Sequence, residues 1–269
     1  MEFQFPNQLD RVKAGVLAQS ATLQAVAGVY ADALENGGLV HVYANGHSRI
    51  AVEEMVVRMG ALTGFHAILS SGLATFTDVV GANGIRVNQA IERVEGLGGV
   101  LLDDYDIGPH DAFVAISATG TTAAAADIAL AFNRRYPHHP IIALCSLEQA
   151  RDAQPKHSSG KTLYHVVQEA ERGFLLDNCM PMGDLSVTVE GQTDVYNVCP
   201  LSSIGALTIV QSLNELTIRE LDRRGVKHPV LRNMHLHDTQ DTYEQWVQDQ
   251  RKRYARSVNR LCQVVGRTR

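Results

Sequence analysis

Two stretches of this chain run from a short apolar strand, through a polar loop holding a glycine, straight into a helical pattern. Val40-His41-Val42-Tyr43-Ala44 leads into Asn45-Gly46-His47-Ser48 and then into a helical run over residues 49–58. Ala112-Phe113-Val114-Ala115-Ile116 leads into Ser117-Ala118-Thr119-Gly120-Thr121-Thr122 and an alanine-rich helix that Pro137 stops. Strands that alternate with helices in this way build βαβ units and a parallel sheet. Pro140-Ile141-Ile142-Ala143-Leu144-Cys145 is a further strand, apolar without a break, as expected where helices cover both faces of the sheet. An α/β fold with helices on both faces is the expectation.

The loops carry a chemical expectation as well. The first turn of a helix has N–H groups without partners and a partial positive charge, so it attracts anions. Glycine lets the backbone come close to a ligand, which Gly46 and Gly120 supply. The hydroxyls of Ser48, Ser117, Thr119, Thr121 and Thr122 can donate to phosphate oxygens. Two such loops on one sheet point to a phosphorylated small molecule, gathered at the C-terminal edge of the strands.

Charge argues in the same direction. The 269 residues carry a formal net charge of −5, and the only dense basic run, Gln250-Arg251-Lys252-Arg253, follows acidic Glu244 and Asp249. A solvated helix face explains it, and nucleic acid is not an expected partner. No apolar run approaches the ~20 residues that span a bilayer, and the N-terminus lacks an apolar signal core. A cytoplasmic location away from membranes is expected. Cys145, Cys179, Cys199 and Cys262 show no close pairing and no metal-type spacing, so they read as small hydrophobes in a reducing compartment. His235-Leu236-His237 places two imidazoles on one side of a strand, but no third ligand is recognisable, and neither a metal nor a cofactor is expected.

Around these loops, residues 7–35 read as one long helix closed by Gly37-Gly38, and residues 66–71 as a second strand. Residues 72–84, rich in Gly, Thr and Ala, read as a substrate-facing loop. A helix is expected over 85–97, and residues 100–106 fit either a strand or a turn. Residues 161–171 read as a helix, 174–177 as a strand, 185–189 and 195–199 as a hairpin, and 202–223 as a long apolar helix. Residues 1–231 are expected to form one domain with the N-terminal helix, and residues 232–269 a C-terminal extension.

Four stretches in order resemble the SIS (sugar isomerase) family of phosphosugar-binding domains: Gly46-His47-Ser48; Glu53-Glu54 with Arg58; His157-Ser158-Ser159-Gly160-Lys161; and Asp177-Asn178 with Pro181, Gly183 and Asp184. Within that family they are most similar to bacterial single-domain proteins of unassigned substrate. The resemblance covers roughly residues 1–225. It implies a SIS-type, flavodoxin-like five-stranded parallel sheet and a sugar phosphate, or a related anionic sugar, held at Asn45, Gly46, His47, Ser48, Ser117, Thr119, Gly120, Thr121 and Thr122. The second loop departs from the family by carrying threonine where serine is commoner, which keeps the hydroxyl donors. A late-helix histidine assists catalysis in phosphoheptose isomerase, and the helix at 202–223 has none.

The resemblance also implies an activity. Glu54 matches a glutamate that moves a sugar proton in phosphoheptose isomerase; on its own the residue is equally a surface partner of Arg58 at i+4. His157 can pass protons between sugar oxygens, and Lys161 can bind phosphate as a point charge, although Ser158 and Ser159 also read as ordinary helix caps. The expected function is a phosphosugar isomerase interconverting aldose and ketose phosphates. A lyase of the N-acetylmuramic acid 6-phosphate etherase type and a non-catalytic phosphosugar sensor are the alternatives. Helices with broad apolar faces, at 7–35 and 202–223, add the expectation of a homodimer or homotetramer.

Overall fold

A computed structural model describes residues 3–56, 58–73 and 85–227, together with positions 230, 231, 233, 244, 245, 247, 248, 251 and 252. Five parallel strands make one sheet in the order β2-β1-β3-β4-β5: β1 (Val40–Ala44), β2 (Phe65–Ile68), β3 (Ala112–Ile116), β4 (Ile141–Cys145) and β5 (Gly173–Asp177). The three central strands, β1, β3 and β4, are buried at every residue, which explains their unbroken apolar sequences. Chain order reverses between β1 and β3: β2 lies on one side of β1, and all later strands lie on the other. Open α/β sheets bind ligands outside the carboxyl ends of the strands at such a switch point. Both glycine-bearing loops leave the sheet there.

Helices cover both faces. On one face lie α1 (Phe5–Ala18), α2 (Ser20–Glu35), the short α3 (Arg49–Met55) and the later 22-residue α9 (Ser202–Arg223), packed over the side chains of Val40, Val42, Val114, Ile142 and Leu176. The apolar faces of α2 and α9 meet each other, through residues such as Tyr30, Leu34, Ile209 and Leu213. On the other face α5 (Leu97–Asp103), α6 (Ala123–Arg135) and α8 (Leu163–Gln168) enclose Tyr43, Phe113, Ala115, Ile141 and Ala143. The remaining elements are α4 (Ile85–Ile91), α7 (Leu147–Asp152), and an antiparallel hairpin of β6 (Leu185–Glu190) and β7 (Val195–Pro200) that stands apart from the main sheet.

Several elements differ from the sequence expectation, each for a tertiary reason. The long N-terminal helix is two helices, broken at Gln19. That side chain donates to the Asp177 carbonyl at 2.8 Å and accepts from the Asp177 N–H at 2.9 Å, pulling its own backbone out of helical geometry. The helix expected to run to residue 97 stops at Ile91, and a new helix over Leu97–Asp103 takes up the first part of the stretch 100–106 expected as a strand or turn. The carboxylate of Asp127, on α6, accepts from the N–H groups of Gly96 and Gly98 and so supplies the start of α5 from 30 residues away. The helix expected at 161–171 is shorter, Leu163–Gln168, because Thr162 and His165 form a capping box at its start. Of the expected substrate-facing loop, residues 74–84 lie outside the described residues, as does nearly all of the extension from 232 onward.

A second polar device lies inside the sheet layer. His41 on β1 is fully buried, and its Nε2 lies 2.9 Å from Asp111 Oδ2, while its Nδ1 lies 3.1 Å from His66 Nδ1 on β2. Asp111 also accepts from the N–H groups of Leu39 and Gly108, each at 2.8 Å. Burial alone would raise the Asp111 carboxyl, but His41 and these two N–H groups hold it below the usual carboxylate range.

Candidate functional site

A shallow, solvent-open cleft sits over the ends of β1 and β3. Four segments line it. The first loop contributes His47 and Ser48, and the first turn of α3 adds Ala51; Ser117 and Ala118 come from the second loop. Asn178 follows β5, and the start of α9 brings Ser202, Ser203 and Ala206. Hydroxyls, an imidazole and an amide thus meet at one spot, supplied by segments far apart in sequence, from His47 to Ala206.

The backbone explains why they meet. Gly46 to Ser48 form a single 3₁₀ turn that joins β1 to α3, which places Ser48 at the head of that helix. In the second loop Gly120 has φ +69°, and a Cβ there would fall 2.8 Å from both Ala150 Cβ and Cys145 Sγ. Only glycine fits. Ser117 Oγ accepts from the Gly120 N–H at 3.1 Å, and the Asn178 amide donates to the Ala118 carbonyl at 2.7 Å. The loop is therefore held by its own hydroxyl and by the residue that follows β5. Gly205 lets α9 come down against the Asn178 backbone, and this brings Ser202 and Ser203 over the cleft. Asp184 fixes the start of that helix. Its carboxylate accepts from Leu201 N–H at 2.9 Å, Ser202 N–H at 2.6 Å and Ser202 Oγ at 2.7 Å.

Of the residues expected from sequence, His47, Ser48 and Ser117 line this cleft. Thr119 and Thr121 do not; their hydroxyls bond each other at 2.9 Å. Thr122 is the N-cap of α6, yet its buried Oγ1 has no hydrogen-bond partner among the described residues. Asn45 turns the other way and donates through Nδ2 to Glu92 Oε2 at 2.9 Å. Glu54 faces α9 one turn beyond the cleft: its Oε1 accepts from Gln211 Nε2 at 2.7 Å and sits 3.3 Å from Arg58 Nε. His157 is held by Asp127, at 3.4 Å from Nε2, and by Ser159, whose N–H donates to Nδ1 at 3.0 Å. Its neighbour Ser158 donates through both backbone and side chain to Glu95. Lys161 pairs with Glu169. Neither His157 nor Lys161 lines the cleft.

Other residues enter the region that sequence reasoning did not single out. Asn178, Ser202 and Ser203 line the cleft itself. Across the loops from them, Asn88 on α4 lies beside Gly46, and its buried Nδ2 has no partner among the described residues. A buried polar atom left unpaired costs about 1–3 kcal/mol, so Asn88 Nδ2 and Thr122 Oγ1 are places where an added acceptor would be welcome. Glu92, just after α4, is half-buried; desolvation raises its carboxyl above the usual range, against the lowering effect of Lys156, Arg93 and the Asn45 bond. Periodicity could not separate these positions from ordinary helix polar residues.

Among the described residues no group of three or more His, Cys, Asp or Glu side chains is placed to hold a metal ion, and no helix is long and apolar enough to cross a membrane. His235, His237 and Asp238 lie outside the described residues.

Known proteins were compared with this chain on both sequence and structure. It is 27% identical over 220 residues to a UPF0309 protein of Caldanaerobacter subterraneus, covering 82% of this chain and 84% of that one. A UPF0309 protein of Geobacillus thermodenitrificans is 25% identical over 244 residues, or 91% and 92% of the two chains. Among solved structures, phosphoheptose isomerase from Neisseria gonorrhoeae superposes with a TM-score of 0.48 at 13% identity, over 80% of this chain and 95% of that one. The sequence profile of the SIS domain matches residues 4–146, just over half of the 269 residues, and includes β1, β3 and both loops. The chain belongs to the SIS domain family.

Proposed function

We propose that the cleft binds a sugar phosphate, or a related anionic sugar, and that the protein interconverts aldose and ketose phosphates by proton transfer through a glutamate. One observation carries the binding half of this reading. Hydroxyls from two strand-to-helix loops, Ser48 and Ser117, share a cleft at the β1/β3 switch point with Asn178 and the first turn of α9. Donors at helix starts suit an anion, and an amide with several hydroxyls suits the neighbouring sugar oxygens. The family resemblance assigns the base to Glu54 and the oxygen protons to His157. In the single chain both side chains are held by other partners. A homodimer or homotetramer is the proposed assembly.

The test is a thermal-shift titration over pentose, hexose and heptose phosphates. Saturation to a hundred times Kd stabilises a fold by about 2.7 kcal/mol, a rise of roughly 5–10 °C for a domain of this size. Ser48→Ala removes a cleft hydroxyl that has no capping bond to lose, so it is expected to reduce the shift without lowering the unliganded Tm. Absence of any shift across the panel refutes the reading.

A further inference from the structure

We propose that the open apolar face of the β6–β7 hairpin is the surface through which two copies of this chain associate. The hairpins stack face to face about a two-fold axis, with the tip of each over the root of the other. This rests on the homo-oligomer proposed above, gives it a definite surface, and does not depend on which ligand the cleft takes.

Cross-strand register sorts the hairpin's side chains onto two faces. Leu185 lies opposite Pro200, Val187 opposite Val198, and Val189 opposite Tyr196, so one face consists of three apolar pairs. Ser186, Thr188, Glu190, Val195, Asn197 and Cys199 alternate with them on the other face. Such alternation belongs to an antiparallel sheet with one face covered. Among the described residues nothing covers this one: Leu185 is 44% exposed, Val189 48% and Tyr196 47%, and no residue from 185 to 200 is buried. A lone two-stranded hairpin is marginally stable in water and needs more strands or a packing partner. The apolar faces of α2 and α9 meet each other inside the chain, so the contact between copies falls to the hairpin.

The charges at its two ends favour a second copy over an unrelated partner. Glu190 and Asp194 sit at the tip, and neither carboxylate is in an ion pair among the described residues. Arg11 sits at the root. α1 packs on β6, and the Arg11 guanidinium donates to the carbonyls of Cys179 at 3.0 Å and Met180 at 3.5 Å, again with no ion pair among the described residues. The strands between tip and root are about 20 Å long. One surface therefore carries acid at one end, base at the other and an uncharged face between. Turned about a two-fold axis, it meets itself: the apolar pairs stack at the ~10 Å spacing of packed sheets, and each tip reaches the Arg11 of the other copy. A parallel stack would instead set tip against tip and bring four carboxylates together.

A face of roughly 20 by 10 Å falls short of the ~800 Å² that each partner buries in a standard interface, so the contact is expected to dissociate in the micromolar range. Its position also bears on the cleft. The hairpin leaves the chain at Asp184, whose carboxylate fixes the start of α9, and returns directly into that helix. A second copy that holds the hairpin steadies Ser202 and Ser203.

Sedimentation velocity of the full chain over about 1–100 µM tests this, with calorimetry to check that each variant keeps the wild-type fold. Val187→Asp sets two carboxylates against each other across the two-fold axis and is expected to weaken association at least about tenfold, or to cut a tetramer to a dimer. Thr188→Asp, on the other face, is expected to leave association within about twofold of wild type. Arg11→Glu is expected to weaken it, and Arg11→Glu combined with Asp194→Arg to restore it. Wild-type association in Val187→Asp overturns the surface and leaves the homo-oligomer standing. Should Val187→Asp fail to fold, the charge swap decides: restoration by the double variant supports the stack, and its failure overturns it. A wild type that stays monomeric through the whole range removes the surface and the homo-oligomer together, while the sugar-phosphate reading still stands or falls by its own thermal shift.

Discussion

Gly205→Ala is the substitution whose outcome depends most directly on how the cleft is built. A Cβ at Gly205 would stand 2.8 Å from the carbonyl carbon of Asn178 and closer still to its oxygen, well inside the 3.0 Å that real Cβ atoms essentially never breach. Neither side can yield easily. The obstacle is backbone, and the Asn178 N–H is anchored to the Cys145 carbonyl at the end of β4. A carbon approaches a carbonyl oxygen to no less than about 3.3 Å, and the Asn178 oxygen would lie 1.7 Å from the added Cβ, so α9 has to retreat by roughly 1.5 Å. Overpacking of this kind costs typically 1–3 kcal/mol, and the rigidity of the site places it at the upper end, about 3 kcal/mol. For a domain of this size that lowers Tm by roughly 6–12 °C. The same retreat carries Ser202 and Ser203 away from Ser48 and Ser117, so affinity for a sugar phosphate falls more than stability alone would require. Gly28→Ala is the control. It lies mid-way along α2 with nothing within 4 Å of an added Cβ, and alanine there should stabilise by up to about 1 kcal/mol. Differential scanning calorimetry of the two variants, with and without ligand, reads both effects. A Gly205→Ala protein that melts within two degrees of wild type and binds as tightly refutes the packing argument.

Asp184→Ala removes the cap that takes three donors at the start of α9 and is expected to cost about 1–2 kcal/mol in urea unfolding; no loss would mean that other groups cap the helix. Asp111→Asn breaks the buried pair with His41 and is expected to destabilise by about 3–5 kcal/mol at neutral pH. Because the folded-state carboxyl lies below its unfolded value, its stabilisation is complete above the unfolded value, near 3.9, and is lost as pH falls through the folded one. The gap between wild type and Asp111→Asn should therefore narrow as pH falls below about 4, and a pH-independent gap would refute the linkage.

The legible parts of the fold are those decided locally. β1, β3 and β4 announce themselves because burial on both faces leaves no position for a polar residue except His41, which has its own partners. The long helix Ser202–Arg223 was readable to the residue, since its apolar period runs unbroken to Gly225. Elements shaped by distant side chains were not. Nothing near Gln19 breaks a helix; the break comes from Asp177, on the far side of the sequence. The start of α5 depends on Asp127 in the same way. At the site, the two loops could be read from their glycines and hydroxyls, but Asn178, Ser202 and Ser203 reach the cleft only through the close approach at Gly205. His157 and Lys161 look like anion ligands in sequence, and their acidic partners, Asp127, Glu95 and Glu169, are invisible until the chain is folded.

The Gln19 side chain has a consequence for how this protein meets its own copies. β5 is the last strand of the sheet, and its outer side is where a stray strand would add. At Asp177 the amide of Gln19 presents one donor and one acceptor to the backbone, the same pair an incoming strand would bring. Two residues on, Arg11 Nε donates to the Cys179 carbonyl at 3.0 Å. The N-terminal helices thus impersonate a neighbouring strand with side chains, and guard that end of the sheet against edge-to-edge aggregation.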